Sequence, residues 1–481
     1  MPIRTVCLIS LLMAPMVADA QLPDDSPRMS PLVRVIAKVE PAVVALFIPA
    51  ADNPQHFSSG SATIVHADGY AITNNHVVTG ESGYAVLRGK PVRFRVVGRS
   101  PEKDLAVIRL RDHQGELPVV PMGHSHDVMN GEMVAVVGNP GGRGTTVTSG
   151  IVSSKGTQLS APSALWATQH DSRFRDDYIQ YDAATNRGNS GGALINMDGE
   201  LIGVVAALIP TEQNSSFAIP IDRVRLLLER IVEPELMHQR HVGVQLNPLA
   251  DWAIITAVDS DSPAQQAGIH TGDVITKVNG RQLKNPADWL WMLNETLPHG
   301  KSINLIVRRE KESLPIELTP RKLAAMQSSN PPADESQIEP GLDFAFYDGK
   351  FKLLPEFEKL TVARSGTVET IDLEQIQGDQ EDYFAVRLSG FLKIDQAGLY
   401  RLSLTSDDGS RLWLNDELFI DHDGNHPAMT LSRLARIAPG LHPLEIEYFE
   451  GYGANVLELK LERIDGEASG ETTPLFKRAV P

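Results

Sequence analysis

Between residues 32 and 231, apolar residues come in short runs that turn residues interrupt. One run covers 61–65, residues 66–69 have the composition of a turn, and 70–73 resumes the apolar pattern. Short segments rich in Val, Ile, Thr and Tyr and bounded by Gly, Asn and Asp are typical of strands. Many such strands at close spacing indicate a barrel or a sandwich. Residues 221–231 have helical spacing and are predicted to close this module.

Two further modules follow. Residues 238–322 hold strand-like runs on either side of a helical stretch at 286–297, and residues 341–464 are rich in strand-like alternation. At 481 residues the chain is long enough for about three domains. We therefore predict a mainly β protein of three modules, with the first spanning 32–235.

The connecting segments are predicted from composition. Residues 21–31 are polar and contain proline, which indicates a leader. Residues 323–340 include Ser-Ser-Asn-Pro-Pro-Ala-Asp-Glu at 328–335, a composition that suits a solvated linker. Residues 465–481 are predicted to be a polar tail.

The N-terminus has the pattern of an export signal. Arg4 precedes a short apolar run that leads to Ala18-Asp-Ala20, so we expect residues 1–20 to be a secretory signal peptide. The alternative, a membrane anchor, is weaker because the run is shorter than the about 20 residues that span a bilayer. Cleavage would remove Cys7, the chain's one cysteine, which excludes disulfides, thiol catalysis and cysteine zinc sites. We predict a periplasmic or extracellular protein with no transmembrane segment in the mature chain.

Charge and composition exclude one class of partner. The formal net charge is -17 and the pI is near 5.3. Proteins that bind nucleic acid need clustered Lys and Arg to displace counterions from phosphates. We therefore predict no nucleic-acid partner, and we expect the acidic surface mainly to keep the protein soluble.

Ser190 lies in the glycine-rich segment Asn186-Arg-Gly-Asn-Ser-Gly-Gly192, between the strand-like runs 178–181 and 193–195. Glycines there allow a tight turn and leave room for a substrate carbonyl beside exposed backbone N–H groups. A serine hydroxyl becomes a good nucleophile only where a neighbouring base takes its proton.

Two residues that precede Ser190 in the chain, His76 and Asp104, can complete such a site. His76 ends a predicted strand, and Asp104 opens the strand-like run 104–110. A carboxylate that binds one imidazole nitrogen fixes the tautomer and stabilises the imidazolium. Each signal alone has a plainer explanation, a structural turn for the serine and a polar surface position for the histidine. The order His, Asp, Ser is that of chymotrypsin-like double barrels.

At this point the sequence resembles the HtrA/Deg proteases. The blocks that carry the resemblance occur in the family order over about 200 residues: Ser59-Gly-Ser-Ala-Thr-Ile-Val65, Ile72-Thr-Asn-Asn-His-Val-Val78, Asp104-Leu-Ala-Val107, Val137-Gly-Asn-Pro-Gly141, Val147-Thr-Ser-Gly-Ile-Val152, Gly188-Asn-Ser-Gly-Gly-Ala-Leu194 and Phe217-Ala-Ile-Pro220. The resemblance implies two six-stranded Greek-key barrels with the catalytic residues His76, Asp104 and Ser190 in the cleft between them. It also implies an oxyanion hole made by the backbone N–H groups of Gly188 and Ser190, no required cofactor, and a homotrimer.

Two stretches depart from the family pattern. Residues 153–182 look longer than the usual loop and contain Trp166, His170 and a charged run at 171–177. The segment Tyr181-Asp-Ala-Ala-Thr185 also differs, since the family more often has Thr first and Ile last. A tolerated surface insertion is the plainer interpretation of the long loop, and a role in switching the site on is the alternative.

The second module, 238–322, resembles a PDZ domain of the bacterial protease type. The resemblance rests on Val242-Gly-Val244, Ser262-Pro-Ala-Gln-Gln-Ala-Gly268 and Gly272-Asp-Val-Ile-Thr-Lys-Val-Asn-Gly280. It implies that the backbone N–H groups of Val242, Gly243 and Val244 hold the C-terminal carboxylate of a polypeptide, which adds as a strand. The alternative is a PDZ module that serves only as a spacer or docking surface.

The third module, 341–464, resembles a PA14 domain, a β-sandwich often used to bind carbohydrate. The matching strands are Gly341-Leu-Asp-Phe344, 384–390, 397–400, 406–414 and 440–450. In sugar-binding members an Asp-Asp pair holds Ca²⁺, which implies metal ligation by Asp407 and Asp408; the alternative is a turn in which the acids bind backbone N–H groups. We expect Trp413 to be a core residue, and His422 and His426 to belong to a polar loop.

These observations predict a secreted serine endopeptidase. Its substrates are predicted to be unfolded polypeptides with exposed C-termini, and the third module adds a carbohydrate partner. Two alternatives remain open from the sequence: a PDZ-based chaperone or scaffold, and a glycan-targeted binder with little turnover.

Overall fold

The computed structural model describes residues 26–49, 57–158, 177–208, 215–329, 338–426, 428–453, 455–465 and 473–478. The predicted signal peptide and the central part of the long 153–182 segment, with Trp166 and His170, lie outside the described residues. Among those described, no helix is both long enough and apolar enough to cross a bilayer.

The first module begins with a short helix and a closed barrel. Helix α1 (Pro31–Val39) starts after Ser30, whose hydroxyl accepts a hydrogen bond from the N–H of Val33 at 3.3 Å. Six antiparallel strands then close in the order β1-β2-β3-β6-β5-β4. They are β1 (Val43–Pro49), β2 (Phe57–Ile64), β3 (Tyr70–Thr73), β4 (Ser82–Leu87), β5 (Lys90–Ser100) and β6 (Leu105–Leu110).

A second six-stranded barrel completes the module. Its strands close in the order β10-β11-β12-β9-β8-β7. They are β7 (Met133–Gly138), β8 (Thr146–Gln158), β9 (Asp177–Tyr181), β10 (Ala193–Ile195), β11 (Leu201–Leu208) and β12 (Ser216–Pro220). Strands β8 and β9 pair as a hairpin, so the two ends of the long 153–182 segment extend the barrel. Helix α2 (Ile221–Val232) follows β12, as the helical spacing predicts.

The PDZ module is a small antiparallel sheet with one long helix. Its elements are α3 (Pro234–Met237), β13 (Arg240–His241), β14 (Val244–Leu246), β15 (Ala253–Val258), α4 (Pro263–Gln266), β16 (Val274–Val278), β17 (Arg281–Gln282), α5 (Pro286–Thr296), β18 (Ile303–Arg309), β19 (Glu312–Leu318) and β20 (Arg321–Lys322). Asn285 caps α5 by accepting from the N–H of Asp288 at 3.2 Å. The helix covers one face of the sheet, where Trp289 and Leu293 are buried.

The third module is a β-sandwich of an eight-stranded and a three-stranded sheet. Its elements are β21 (Ile338–Pro340), β22 (Leu342–Asp348), β23 (Arg364–Val368), α6 (Leu373–Gln377), β24 (Phe384–Ile394), β25 (Gly398–Ser406), β26 (Ser410–Leu414), β27 (Glu417–His422), β28 (Met429–Ile437), β29 (Gly440–Glu450), β30 (Leu457–Arg463) and β31 (Leu475–Arg478). Apolar side chains of both sheets form one core between them. The predicted fold class, mainly β with a double barrel, a PDZ domain and a PA14-like sandwich, is confirmed.

Two connecting segments differ from expectation. The expected solvated linker is anchored at its start, because Met326 donates to the carbonyl of Arg436 at 2.7 Å and accepts from the N–H of Ala438 at 3.0 Å. The expected polar tail includes β31, which pairs with β21 and β24. Both predictions are wrong in these parts. A short polar segment can pair with the edge of a sheet elsewhere in the fold, and its own composition does not indicate that partner.

Helix α5 joins the PDZ module to the first barrel. Trp291 stacks on Tyr70 of β3, with ring centroids 4.6 Å apart. The Tyr70 hydroxyl donates to Glu295 Oε1 at 2.6 Å and accepts from Asn294 Nδ2 at 2.7 Å. Arg281 adds a paired ion contact to Asp68 at 2.7 and 3.1 Å. The two modules therefore share buried apolar surface as well as polar contacts.

Candidate active site

Asp104 and His76 form a close pair at one end of the first barrel. The Asp104 carboxylate contacts His76 Nδ1 at 2.8 Å through one oxygen and accepts from the His76 backbone N–H at 2.9 Å through the other. The backbone carbonyl of Asp104 accepts from Asn74 Nδ2 at 3.0 Å. Asp104 is thus held by three contacts to the segment that carries the histidine.

The local backbone explains why these residues project towards each other. Asp104 ends a short 3₁₀ turn at 101–103 in a left-handed conformation, with φ of 51°, which aspartate tolerates better than most residues. His76 lies in the 3₁₀ turn 75–77 that follows β3. Strands β3 and β6 are paired neighbours in the barrel. The turn after β3 and the turn before β6 therefore meet at the same edge.

The pairing decides what the imidazole can do. An ionised carboxylate only accepts hydrogen bonds, so the Nδ1 of His76 carries the proton and a neutral ring leaves Nε2 as an acceptor. Burial by itself would lower the pKa of His76, but the hydrogen bond to Asp104 and the charge of that residue outweigh it, and the pKa is raised. The His76 side chain stays 45% exposed, so a substrate group can reach the ring. The pair has the tautomer and the access that a general base requires.

Ser190 lies in the turn between β9 and β10, at the boundary between the barrels. Its backbone carbonyl accepts from the N–H of Ser61 at 2.8 Å, and its hydroxyl donates to the carbonyl of Ala206 at 3.2 Å. The hydrogen bonds of the described residues include none between Ser190 Oγ and His76. The turn that carries Ser190, called the serine turn below, therefore packs against the first barrel, and the Ser190 hydroxyl points towards the second barrel.

Gly191 shows how tightly this turn fits. Its φ is +80°, and a Cβ built there would lie 2.1 Å from the carbonyl oxygen of Ser61 and 2.2 Å from Thr73 Oγ1. Thr73 is three residues before His76, and its hydroxyl donates to the same Ser61 carbonyl at 2.7 Å. The serine turn and the histidine segment thus meet around Ser61. Only glycine combines this conformation with so close an approach.

The backbone N–H groups of Gly188 and Ser190 have no hydrogen-bond partner within the described part of the chain. The Gly188 carbonyl is fixed elsewhere, since it accepts from Ser61 Oγ at 2.7 Å, and Ser61 Oγ also accepts from the N–H of Asn139 at 2.8 Å. Two free donors beside a serine are suited to an oxyanion. Sequence reasoning misses Ser61, Thr73 and Asn74 as site residues, although Ser61 lies in the block 59–65 that carries part of the family resemblance.

The loop Val242-Gly243-Val244 has a neighbour that the sequence does not indicate. Gly243 has φ of +82°, and its N–H donates to Glu235 Oε1 at 3.1 Å. Glu235 Oε2 lies 2.9 Å from His241 Nδ1. A side-chain carboxylate of the same chain therefore lies where the predicted peptide carboxylate would bind.

Asp407 and Asp408 lie beside a third acid, Glu450, which sequence reasoning misses. One carboxylate oxygen from each lies within 4.8 Å of the others. Asp407 accepts from the N–H of Ala428 at 3.0 Å and Asp408 from the N–H of Gly451 at 2.7 Å. Glu450 is completely buried, and its Oε1 has no hydrogen-bond partner among the described residues.

Other residues of the PA14 module differ from expectation. Trp413 is half-buried and lines an open groove of about 480 Å³, so its expected place in the core is wrong in part. His422 and His426 are both buried and stack at 3.7 Å. The expected polar loop is therefore wrong for these side chains. Burial and the neighbouring His426 lower the pKa of His422 well below its usual value.

The paired barrels and the Asp104 to His76 contact are those of a trypsin-like serine peptidase. The family model of the trypsin-like peptidase domain matches residues 60–204, that of the PDZ domain 241–319 and that of the PA14 domain 338–472. A probable periplasmic serine endoprotease DegP-like from Brucella suis biovar 1 (strain 1330) is 33% identical over an alignment of 295 residues, and the match covers 58% of this chain and 55% of that protein. A probable periplasmic serine protease do/HhoA-like from Haemophilus influenzae is 32% identical over an alignment of 365 residues, and the match covers 65% of this chain and 75% of that protein.

The chain belongs to the HtrA/Deg family of serine proteases. Among solved structures, the serine endoprotease from Yersinia pestis is 28% identical and matches 61% of this chain and 98% of that one, with a TM-score of 0.35. The chain spans about half the length of the Brucella relative that it matches, 55%.

Proposed function

We propose that this protein is a serine endopeptidase that cuts unfolded or misfolded polypeptides outside the cytoplasm. The observation that carries the proposal is the 2.8 Å contact between Asp104 and His76 Nδ1. The turn that holds Ser190 lies beside this pair, and its close packing requires glycine at position 191. In this mechanism Ser190 attacks the scissile carbonyl and His76 Nε2 takes the hydroxyl proton. The same nitrogen then gives the proton to the leaving amine.

Ser190 must change rotamer before it attacks. Its hydroxyl donates to Ala206, and rotation about the Cα–Cβ bond releases that contact and offers the proton to His76. The tetrahedral oxyanion then accepts from the N–H groups of Gly188 and Ser190. The mechanism uses only groups of the protein and requires no cofactor.

The direct test compares Ser190→Ala with the parent chain on unfolded casein. We expect the substitution to lower the rate by at least about a thousandfold. Ser154→Ala, in the barrel strand β8 away from the serine turn, is the matched control and should keep the parental rate. Equal casein cleavage by Ser190→Ala and the parent would show that another residue is the nucleophile.

The PDZ module is proposed to select the substrate. The backbone N–H groups of Val242, Gly243 and Val244 would hold an exposed C-terminal carboxylate, and the chain before it would pair with β14. Val244, Trp289 and Leu293 line a cavity of about 420 Å³ next to this loop, which suits an apolar last residue.

A second proposed activity is calcium-dependent glycan binding by the PA14 module. The observation that favours a cation is the buried Oε1 of Glu450 without a partner among the described residues, beside Asp407 and Asp408. Burial raises the pKa of Glu450 to about 8, and the charges of both aspartates add to this. A bound Ca²⁺ would offset that repulsion, and carboxylate oxygens are its preferred ligands.

Calcium titration of the intact chain tests this second activity. We expect CaCl₂ to raise the melting temperature of the parent and to have much less effect on Glu450→Gln or Asp407→Asn. Magnesium at equal concentration is the control cation. Equal responses of the parent and both variants to CaCl₂ would contradict the proposed metal site. Retention of the protein on insoluble glycan after deletion of 341–464 would contradict the proposed glycan binding by this module.

Location and assembly complete the proposal. Two relatives are described as periplasmic, and residues 1–20 have the pattern of a signal peptide, so we place the mature chain in the periplasm or outside the cell. We also propose a homotrimer. N-terminal sequencing of the exported protein and its mass by light scattering test the two points.

A further inference from the structure

The carboxylate of Glu235 lies on the PDZ loop at the junction between the protease and PDZ modules. Oε1 accepts from the N–H of Gly243 at 3.1 Å, and Oε2 contacts His241 Nδ1 at 2.9 Å. His241 also lies 3.8 Å from Asp259 Oδ2. The pKa of His241 is raised, mainly by the hydrogen bond to Glu235. The charged form of the ring, which holds this carboxylate, is therefore favoured.

We propose that Glu235 is a built-in competitor for the PDZ site, whose carboxylate takes the place of the C-terminal carboxylate of a bound polypeptide. The inference rests on the proposed function of the loop Val242-Gly243-Val244. A backbone N–H donates to one acceptor at a time in a good linear geometry. A peptide carboxylate can therefore reach the Gly243 N–H only after Glu235 has left it.

The loop cannot avoid this competition by changing shape. A Cβ built on Gly243 would lie 2.3 Å from Ser262 Cβ, and the Gly243 carbonyl accepts from the N–H of Asp259 at 3.1 Å. The Val242 carbonyl likewise accepts from the N–H of Ala264 at 3.0 Å. The loop is fixed from behind, so Glu235 is the part that moves.

The groove next to the loop opens into a cavity that α2 partly covers. The cavity of about 420 Å³ beside β14 has an apolar wall formed by β14 and α5, a second wall formed by α2 and α3, and a contribution from Arg433 of the PA14 module. Its lining includes Glu229, Glu235, Val244, Trp289 and Leu293. At the carboxylate end of this cavity, Glu235 is the side chain that a ligand must displace from the Gly243 N–H.

Displacing Glu235 should not separate the modules. Arg225 of α2 donates to the carbonyls of Pro248 at 3.0 Å and Ala250 at 2.6 Å, and these contacts are independent of Glu235. The stack of Tyr70 on Trp291 is also on another face. A substitution at Glu235 is therefore expected to leave the docked arrangement in place.

Peptide affinity of the full mature chain tests the proposal, in a Ser190→Ala background that prevents cleavage. The probe is a fluorescent decapeptide with an apolar last residue, made with a free carboxylate and, separately, with a C-terminal amide. Affinity is measured by fluorescence anisotropy. Glu235→Gln keeps the size of the side chain, Glu235→Ala removes the group, and Glu229→Gln removes a neighbouring acid of the same cavity that does not touch the loop.

We expect Glu235→Ala to bind the free-carboxylate peptide about tenfold more tightly than its parent, as if the loop were free about a tenth of the time in the parent. Glu235→Gln should gain less, because its amide oxygen can still accept from the Gly243 N–H although the charge that pairs with His241 is lost. Glu229→Gln should change the affinity less than about twofold, and the amidated peptide should gain nothing from the Glu235 variants. Unchanged affinity of Glu235→Ala, or an equal gain for the amidated peptide, would overturn the proposal. Casein cleavage by the Ser190 chain is measured separately, so that loss of this inference and loss of the proposed peptidase function are told apart.

Discussion

The hydroxyl of Ser190 donates to the carbonyl of Ala206 at 3.2 Å, while the histidine proposed as its base is bound to Asp104 on the other side of the ring. The proposed base is thus already paired with Asp104, whereas the proposed nucleophile needs a change of rotamer before it can donate to His76. Since the change is one rotamer, it is fast compared with a catalytic cycle. The resting contact is therefore compatible with a working peptidase and does not by itself favour a non-enzymatic scaffold.

Replacing Asp104 by asparagine should lower kcat by about 10⁴-fold. The asparagine amide can donate to Nδ1, which would hold the ring in the tautomer whose Nε2 carries a proton and cannot accept one. Turnover of a peptide substrate measures the loss. Asp112→Asn, at the exposed ion pair with Arg93, is the control and should retain parental turnover. A loss smaller than about tenfold in Asp104→Asn would contradict the role assigned to the pair.

The pH dependence of kcat/KM should report the raised pKa of His76. The neutral ring is the active form, so activity rises as the pH passes upward through this pKa. We expect the midpoint of the acid limb above the usual histidine value of about 6.5. In Asp104→Asn the causes that raise the pKa are gone and burial remains, so the residual activity should show its midpoint at lower pH. A midpoint that does not move would mean that another group controls the limb.

Gly191→Ala should abolish activity and destabilise the first module. The added Cβ would lie 2.1 Å from the Ser61 carbonyl and 2.2 Å from Thr73 Oγ1, so the serine turn must shift away from the histidine segment. Gly89 has a similar φ of +74°, and a Cβ added there would have nothing within 4 Å. Gly89→Ala therefore isolates the cost of backbone conformation. Casein cleavage and urea unfolding followed by circular dichroism measure both effects, and equal behaviour of the two variants would rule out the close approach as the cause.

Trp291→Ala should weaken the junction between the first barrel and the PDZ module. Trp291 is fully buried against Tyr70, and truncation of a buried Trp costs about 3 to 5 kcal/mol. Trp252, which is 51% exposed, provides the control, with an expected cost within about 1 kcal/mol. Urea unfolding gives both values. A loss in Trp291→Ala no larger than that of Trp252→Ala would show that the stack does not hold the modules together.

The fold, the family and the identity of the catalytic candidates can be predicted from the sequence because they depend on local patterns. Glycines around Ser190 and the strand-like runs that flank it are visible in a short window. The partners of Glu235, Met326 and Glu450 are not, since each contact joins segments whose approach is set by the packing of whole modules. The same reason explains why the polar composition of 465–481 predicts a tail where the structure has β31.

The most direct test of the central claim is covalent labelling of the nucleophile. The mature chain is treated with a fluorophosphonate under conditions in which it cleaves casein, and the adduct is located by mass spectrometry of its peptides. The account predicts one adduct, on Ser190, with loss of cleavage in proportion to labelling and no adduct in His76→Ala. Full loss of cleavage with the adduct on another residue, or full labelling of Ser190 with cleavage retained, would contradict it.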